Sequence, residues 1–397
     1  MGKIAYFCTD KICIMDLKEF SDIAPFNDEE ASAALTRLSN HPNTKWVSKK
    51  IFPDQPETLL GEILRNIHTV DEFQTIVMCK AIQWVIDSSV NQFTYEGLEN
   101  VKSIDGKYLV MSNHRDIILD PAFVQFILLN SGMPDTQICV GDNLLRHKSV
   151  ELLIRSNRMI KVIRGISARE LYLSSQLLSR YIREVITSGT SSVWIAQRQG
   201  RTKDGIDTTE QGLLKMLDMS GTKDFVQNFM ELNIIPISIS YEYEPCDIMK
   251  AREILISRSQ KYVKSELEDL NSIIQGIVQK KGNVHIKFGK PLTEEEIQEA
   301  SLCDKNDRYQ SIRHCMDARI IDGYTLWKTN YMAYDIVNGG AKYASQYTPE
   351  ELEAFKAYIE KQLTLVEPEL DRVELRDILL HIYSNPVLSK ENLKDLQ

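Results

Sequence analysis

The sequence has no surplus of basic residues. Its 397 residues carry 47 Lys plus Arg against 56 Asp plus Glu, a net charge of −9, whereas a dedicated nucleic-acid binder normally shows a basic excess. No nucleic-acid partner is expected. Long hydrophobic runs are missing as well. A membrane-spanning helix needs roughly 20 consecutive apolar residues, and the longest candidate, 121–134, is too short and contains Gln125, Asn130 and Ser131. Cysteine is sparse and unpatterned, with Cys8, Cys13, Cys79, Cys139, Cys246, Cys303 and Cys315 scattered and no Cys-x-x-Cys pair. That pattern indicates neither a disulfide framework nor a metal site, and fits thiols kept reduced in a cytoplasm. The opening residues lack the basic start and apolar run of a secretory signal. Tyr6 stands where a myristoylation motif starting at Met1-Gly2 wants Ser or Thr. A cytoplasmic location is the expectation.

What is present is ordinary globular material, 43% hydrophobic and 26% charged, enough for two or three domains at roughly 150 residues each. The first hundred residues read as helical. Asn27-Asp28-Glu29-Glu30 offers a cap and an acidic first turn, and Asn40-His41-Pro42 ends the run. A second helix is expected from Val70 to Ser88, with Phe73, Ile76, Val77, Ala81, Trp84 and Val85 at three- and four-residue intervals. From Tyr108 short β-branched runs alternate with helical stretches. Strands are expected at 108–112, 137–140, 159–163, 192–196, 234–241 and 284–288. Helices are expected at 170–188 and 260–281, each followed by a glycine. After Leu292 the chain turns helical again, with capping signals at Thr293 and Thr348. The expected fold is α/β, with a central mixed, largely parallel sheet flanked by helices. The division expected is an N-terminal helical region (1–92), an α/β domain (93–292) and a C-terminal helical extension (293–397).

The most informative stretch is Met111-Ser112-Asn113-His114-Arg115-Asp116-Ile117-Ile118-Leu119-Asp120-Pro121. It puts a histidine at the end of an apolar strand and just before a helix, where open α/β sheets gather their reactive groups. A helix N-terminus favours the neutral imidazole that a general base requires, and a nearby carboxylate would hold one tautomer. Asp116 and Asp120 both qualify. Neither interval puts two side chains on one face of a straight helix, so a pair forms only if His114 lies in the turn before it. Asp120-Pro121 also fits a plain helix cap. A kinase catalytic loop is excluded by Pro121 where Asn is needed, and a serine hydrolase by the absence of Gly-x-Ser-x-Gly. His68, His147, His285 and His314 have no motif support and are read as structural. Phe123, Phe126, Ile127, Leu128 and Leu129 are read as core, with an acyl groove as the alternative.

The segment resembles the first motif of the glycerolipid acyltransferase family, the glycerol-3-phosphate and lysophosphatidate acyltransferases. That motif has His, four intervening residues and Asp; here Leu119 occupies the Asp position and Asp120 follows one step later. Three further stretches resemble the family's remaining motifs in order: Asn157–Arg164, Val193–Lys203 with Gln199 in place of Glu, and Ile235–Ser240. Phe93–Val101 resembles the lead-in strand and turn. The resemblance spans roughly 93–292. It implies an O-acyltransferase that needs no metal or cofactor. His114, with Asp120 or Asp116, would take the proton of an acceptor hydroxyl, and acyl-CoA or acyl carrier protein would serve as acyl donor. The acceptor implied is a glycerolipid precursor bearing phosphate, with Arg115, Lys161, Arg164, Arg198, Gln199, Gly200, Arg201 and Lys203 as substrate-binding residues. The 146–169 run fits, with Arg146, Lys148, Arg155, Arg158, Lys161, Arg164 and Arg169 against only Glu151, although such runs also simply solvate a helix face. The protein would reach its lipid as a peripheral protein on the inner face of the cytoplasmic membrane. Leu119 and Gln199 also keep open a lipid-binding protein that has lost catalysis, or an acceptor without phosphate.

Overall fold

The computed structural model describes residues 17–145, 147–164 and 167–395; Met1-Gly2, Tyr6, Cys8, Cys13 and Arg146 lie outside the described residues. A seven-stranded sheet forms the centre. Its strands are β1 (Val90–Glu96), β2 (Leu109–Ser112), β3 (Thr136–Gly141), β4 (Met159–Val162), β5 (Ser192–Ala196), β6 (Ile234–Tyr241) and β7 (Gly282–Phe288). They lie in the order β1-β7-β6-β2-β5-β3-β4. β6, β2, β5, β3 and β4 run parallel to one another, β7 is antiparallel to β6, and β1 is parallel to β7. This is the mixed, largely parallel sheet the sequence indicates.

Parallel neighbours need crossover connections, which put helices on both faces and bury the central strands. β2 and β6 are accordingly buried at every position. The two-residue period sorts their side chains. Leu109, Met111, Val193, Ile195 and Ile234 point to one face, packed against helices Ala168–Thr187, Gln211–Asp218, Glu294–Ser301 and Asp307–Asp322. Val110, Trp194, Ile235, Ile237 and Ile239 point to the other, against helices Cys79–Ser89 and Leu119–Asn130. The N-terminal helices add a small core of their own around Leu35, Leu60, Leu64 and Phe73. Helices Lys328–Asn338, Pro349–Leu363 and Arg372–Asp395 enclose another around Met332, Phe355, Leu379 and Tyr383, joined by Ile248, Ala251 and Leu255 of helix Asp247–Ser259. Among the described residues no helix is long and apolar enough to cross a membrane.

Asn27, Thr293 and Thr348 each close a capping box with the glutamate three residues on. The helix expected over 70–88 is continuous but carries a π-helical turn at Gln74–Met78. The helix expected over 260–281 is shorter, Glu268–Val278, because Glu268 accepts from the Tyr262 hydroxyl and the Ser265 amide and holds the preceding residues in a loop. Its apolar face points outward. Leu267, Leu270, Ile274 and Val278 are 40–56% exposed, while Ser272 and Gly276 face the protein.

Helix Leu119–Asn130 runs through the packed layer, with Leu119, Phe123, Val124, Ile127 and Leu128 at most 1% exposed. The Phe123 ring meets those of Phe93 and Tyr241 at centroid distances of 5.1 and 6.3 Å. Phe123→Ala is therefore expected to lower the unfolding free energy by about 3–5 kcal/mol in a denaturant titration. Trp46→Ala, at a site 59% exposed, should stay within about 0.5 kcal/mol of the parent.

Candidate active site

At the end of β2 the chain leaves the sheet under close control. Asn113 extends the strand pairing with its side chain, its amide donating to the Ile239 carbonyl at 3.0 Å and accepting from the Ile239 N–H at 2.9 Å. His114 follows, its carbonyl accepting from the Thr202 N–H at 2.7 Å. A turn then delivers the chain into helix Leu119–Asn130. Asp120, fully buried in the first turn of that helix, faces back into the turn. Its Oδ2 accepts from the backbone N–H of Arg115 (2.6 Å) and of Asp116 (2.9 Å) and lies 3.0 Å from His114 Nδ1. Its Oδ1 accepts from the Tyr241 hydroxyl at 2.8 Å. A carboxylate on Nδ1 selects the tautomer protonated there and leaves Nε2 as the basic nitrogen. Nε2 has no hydrogen-bond partner among the described residues. The ring stands edge-on to Trp194, with centroids 6.0 Å apart, and is 14% exposed.

Asp116 does a different job. Its Oδ1 accepts from the N–H groups of Ile118 (3.0 Å) and Leu119 (2.8 Å) and so caps the helix. Its Oδ2 has no hydrogen-bond partner among the described residues and lies against Gly276. Burial, and then the neighbouring Asp120 charge, push the Asp116 carboxyl above its ordinary range. Of the two aspartates the sequence leaves open, Asp120 holds the imidazole and Asp116 holds the helix.

His114 opens onto a cleft at the C-terminal ends of β2, β3 and β5. Ile117, Ile118, Pro121, Ile138, Met159 and Trp194 supply apolar wall; Asn143, Arg164, Gly200, Arg201, Lys264 and Asp269 supply the polar side. The cleft continues outward past His147, Val150, Ser265 and Leu270. Through Ile118, Ile138 and Met159 it adjoins a small apolar pocket bounded by Met78, Ile82, Ala122, Phe126 and Leu129. Gly200 is left-handed, at φ 76°, which brings backbone to the cleft edge. Burial pushes Asp269 up, but hydrogen bonds from Lys264 and Asn143, with the charges of Lys264 and Arg201, outweigh it and leave its carboxyl below the ordinary range. Burial lowers Arg164.

His114, Arg164, Gly200 and Arg201, singled out in the sequence, thus meet in one cleft. Other candidates face elsewhere. Arg115 is a correction: its guanidinium is buried behind the turn, bonded to Asp207 (2.7 Å) and near Glu244 (3.4 Å), because a buried charge needs buried partners. Lys203 is paired with Glu253 on helix Asp247–Ser259. Arg198 lines a separate shallow depression with Thr208, Glu210 and Arg313. Gln199 is exposed and, like Lys161 on β4, lines no part of the cleft. Of the remaining basic run, Arg155 donates to the carbonyls of Ser21 and Ala24, and Arg158 pairs with Asp71 and Asp135. Asn143, Lys264 and Asp269 belong to no motif and carry no signal in the sequence. His147, read as structural, stands at the outer mouth.

Residues 92–241 match the family model described as Acyltransferase. Among solved structures, the chain is similar to the crystal structure of the 1-acyl-sn-glycerophosphate (LPA) acyltransferase PlsC from Thermotoga maritima. Identity is 12%, coverage is 74% of this chain and 94% of that one, and the TM-score is 0.38. No curated protein matches. The matched stretch is the one that builds β2, the His114 turn, helix Leu119–Asn130 and the Gly200 loop.

Proposed function

We propose that the protein moves a fatty acyl group from acyl-CoA or acyl carrier protein to a hydroxyl of a glycerol phosphate or lysophospholipid acceptor, with His114 as general base. The observation behind this is the His114–Asp120 pair opening, through Nε2, onto a cleft with Arg164, Arg201 and Lys264 on its polar side. The acceptor hydroxyl donates to Nε2, which takes its proton as the oxygen attacks the thioester carbonyl. The imidazolium so formed is stabilised by Asp120. When the tetrahedral intermediate collapses, the C–S bond breaks and the departing thiolate takes the proton back from Nε2. Neither a metal nor a covalent acyl-enzyme enters these steps. An acceptor phosphate would share the cations that Asp269 now neutralises, and guanidinium groups suit that contact through paired hydrogen bonds.

The loss-of-catalysis alternative gains nothing from Leu119, since Asp120 reaches His114 in spite of the shifted spacing, or from Gln199, which lies outside the cleft lining. The lipid source we take to be an anionic bilayer surface. The outward apolar residues Leu267, Ile274 and Val278 continue the rim formed by Leu270 and Lys264, with exposed Lys261 and Lys280 at either end.

Acyl transfer from acyl-CoA to a panel of glycerol phosphate and lysophospholipid acceptors tests the chemistry. His114→Ala should lower kcat by about 10²–10⁴-fold, the usual contribution of a general base. Asp120→Asn should lower it by at least about tenfold. Asp116→Ala should instead cost about 1 kcal/mol of stability with turnover largely kept. Equal turnover in the parent and His114→Ala would refute the mechanism. For the surface, the triple change Leu267→Asn, Ile274→Asn, Val278→Asn is expected to weaken sedimentation with anionic phospholipid vesicles by about tenfold or more. Turnover of a short-chain, water-soluble acceptor should be unchanged; undiminished vesicle binding would rule that face out.

A further inference from the structure

Outside the lining of the cleft, one carboxylate gathers hydrogen bonds from three separate parts of the chain. Asp207 is 3% exposed as a residue, and its side chain is wholly buried. Its Oδ2 accepts from Asn113 Nδ2 (3.0 Å), from Arg115 Nη2 (2.7 Å) and Nε (3.1 Å), and from the Tyr324 hydroxyl (2.6 Å). Its Oδ1 accepts from the Thr202 hydroxyl at 2.5 Å. Asn113 and Arg115 flank His114 on either side, and Thr202 directly follows Arg201. The two loops are also joined by the Thr202 N–H to His114 carbonyl bond. Asp207 is therefore bonded to both neighbours of His114 and to the residue that follows Arg201.

Asp207 and Glu244 together balance two buried cations, Arg115 and Lys250, the latter 2.6 Å from Glu244; the bonds that Asp207 also accepts from Asn113, Thr202 and Tyr324 go beyond that pairing. The cluster is not confined to the two loops. Tyr324 follows helix Asp307–Asp322, and its carbonyl accepts from Lys390 Nζ at 2.7 Å. Asn385 donates to the Asp204 carbonyl, also at 2.7 Å. Gly205 lies so close to helix Arg372–Asp395 that a Cβ there would come within 2.3 Å of the Ile382 carbonyl oxygen. Burial pushes the Asp207 carboxyl up, but the Arg115 charge and the bonds from Thr202, Tyr324 and Asn113 outweigh it and hold it ionised.

We propose that Asp207 is a positioning residue of the site: its one carboxylate fixes the His114 turn and the Gly200–Arg201 loop in a common register. Through Tyr324 it makes that register depend on the C-terminal helices, which lie outside residues 92–241. The kinetic part of this inference rests on the acyl-transfer reading above; the geometric part does not.

The full-length protein is compared with Asp207→Asn, Tyr324→Phe and Asp335→Asn, all assayed well below their thermal midpoints. Asp335 is the control, a buried carboxylate in the C-terminal bundle bonded to Tyr343 and Tyr347 and to neither loop. With acyl-CoA and a glycerol phosphate acceptor, Asp207→Asn should lower kcat by about 100-fold, the scale expected of a small misplacement of a catalytic group, with KM nearly constant. Tyr324→Phe should act in the same direction but less, and Asp335→Asn should lower the midpoint without changing kcat. The downfield proton resonance of His114 Nδ1–H, assigned by its loss in His114→Ala, should shift in the first two variants only. A folded Asp207→Asn protein with parental kcat and an unshifted resonance overturns the proposal. So does a loss of kcat in Asp335→Asn equal to that in Asp207→Asn. If Asp207→Asn does not fold, Tyr324→Phe, which keeps the ion pair, decides by the same two readouts. If the parent transfers no acyl group, the acyl-transfer reading fails, while the resonance still decides the role of Asp207.

Discussion

The site depends on one tight reversal of the chain, between the end of β2 and helix Leu119–Asn130. The turn wraps around the Asp120 carboxylate. A fully buried carboxylate is tolerated only when its lone pairs are occupied. Here they are met by the His114 ring, two consecutive backbone amides and the Tyr241 hydroxyl. The shape of the turn, the tautomer of the imidazole and the burial of the charge are thus a single solution. The six-residue separation of His114 and Asp120 works because only one of them is on the helix; the turn supplies the reversal that a straight helix at that spacing cannot.

The same accounting explains where the basic residues went. A run of seven cations in the 146–169 stretch suggests a phosphate site, yet among the described residues of that run only Arg164 lines the cleft. Arg155 satisfies two carbonyls near the N-terminal helices and stacks on Phe26, and Arg158 ties β4 to Asp71 and Asp135. A guanidinium offers five donors on a long stem, so it serves as well to fasten elements as to grip a ligand. Charge density along the chain cannot tell these uses apart. The cleft draws its other cations, Arg201 and Lys264, from a loop after β5 and a loop before helix Glu268–Val278.

What could be read from the sequence was governed by locality. Strands such as 192–196 and 234–241 stood out as β-branched runs between breakers, and the caps at Asn27, Thr293 and Thr348 follow from side chains three residues apart. His114 could be found because strand end, histidine and helix start are contiguous. The choice between Asp116 and Asp120 could not be made, since it turns on the backbone path between them. Asn143 meets Asp269, itself bonded to Lys264 five residues earlier, only through tertiary packing across more than a hundred residues. Helix Glu268–Val278 is shorter than the expected 260–281 because Tyr262 and Ser265 bond Glu268 and keep the preceding residues in a loop. Arg115 departs from the expected substrate contact because, although its neighbour His114 faces the cleft, its own buried partners, Asp207 and Glu244, lie about 90 and 130 residues away in sequence.

The segment 92–241, which matches the Acyltransferase model, is not a self-contained layer. β6, its last strand, pairs on one side with β2 and on the other with β7, which lies more than 40 residues later and also carries β1. Without β7, β6 would become an exposed edge presenting Ile235, Ile237 and Ile239, the kind of edge that invites pairing with other chains, and β1 would lose its place in the sheet. The opposite face of the sheet is closed by helices Glu294–Ser301 and Asp307–Asp322, and helix Asp247–Ser259 belongs to the C-terminal core. The chain therefore weaves between sheet and bundle instead of finishing one before starting the other. In such an arrangement the helices after residue 292 complete the core on which the His114 turn stands, and Tyr324 at their junction is placed to bond the carboxylate that joins the two loops of the cleft.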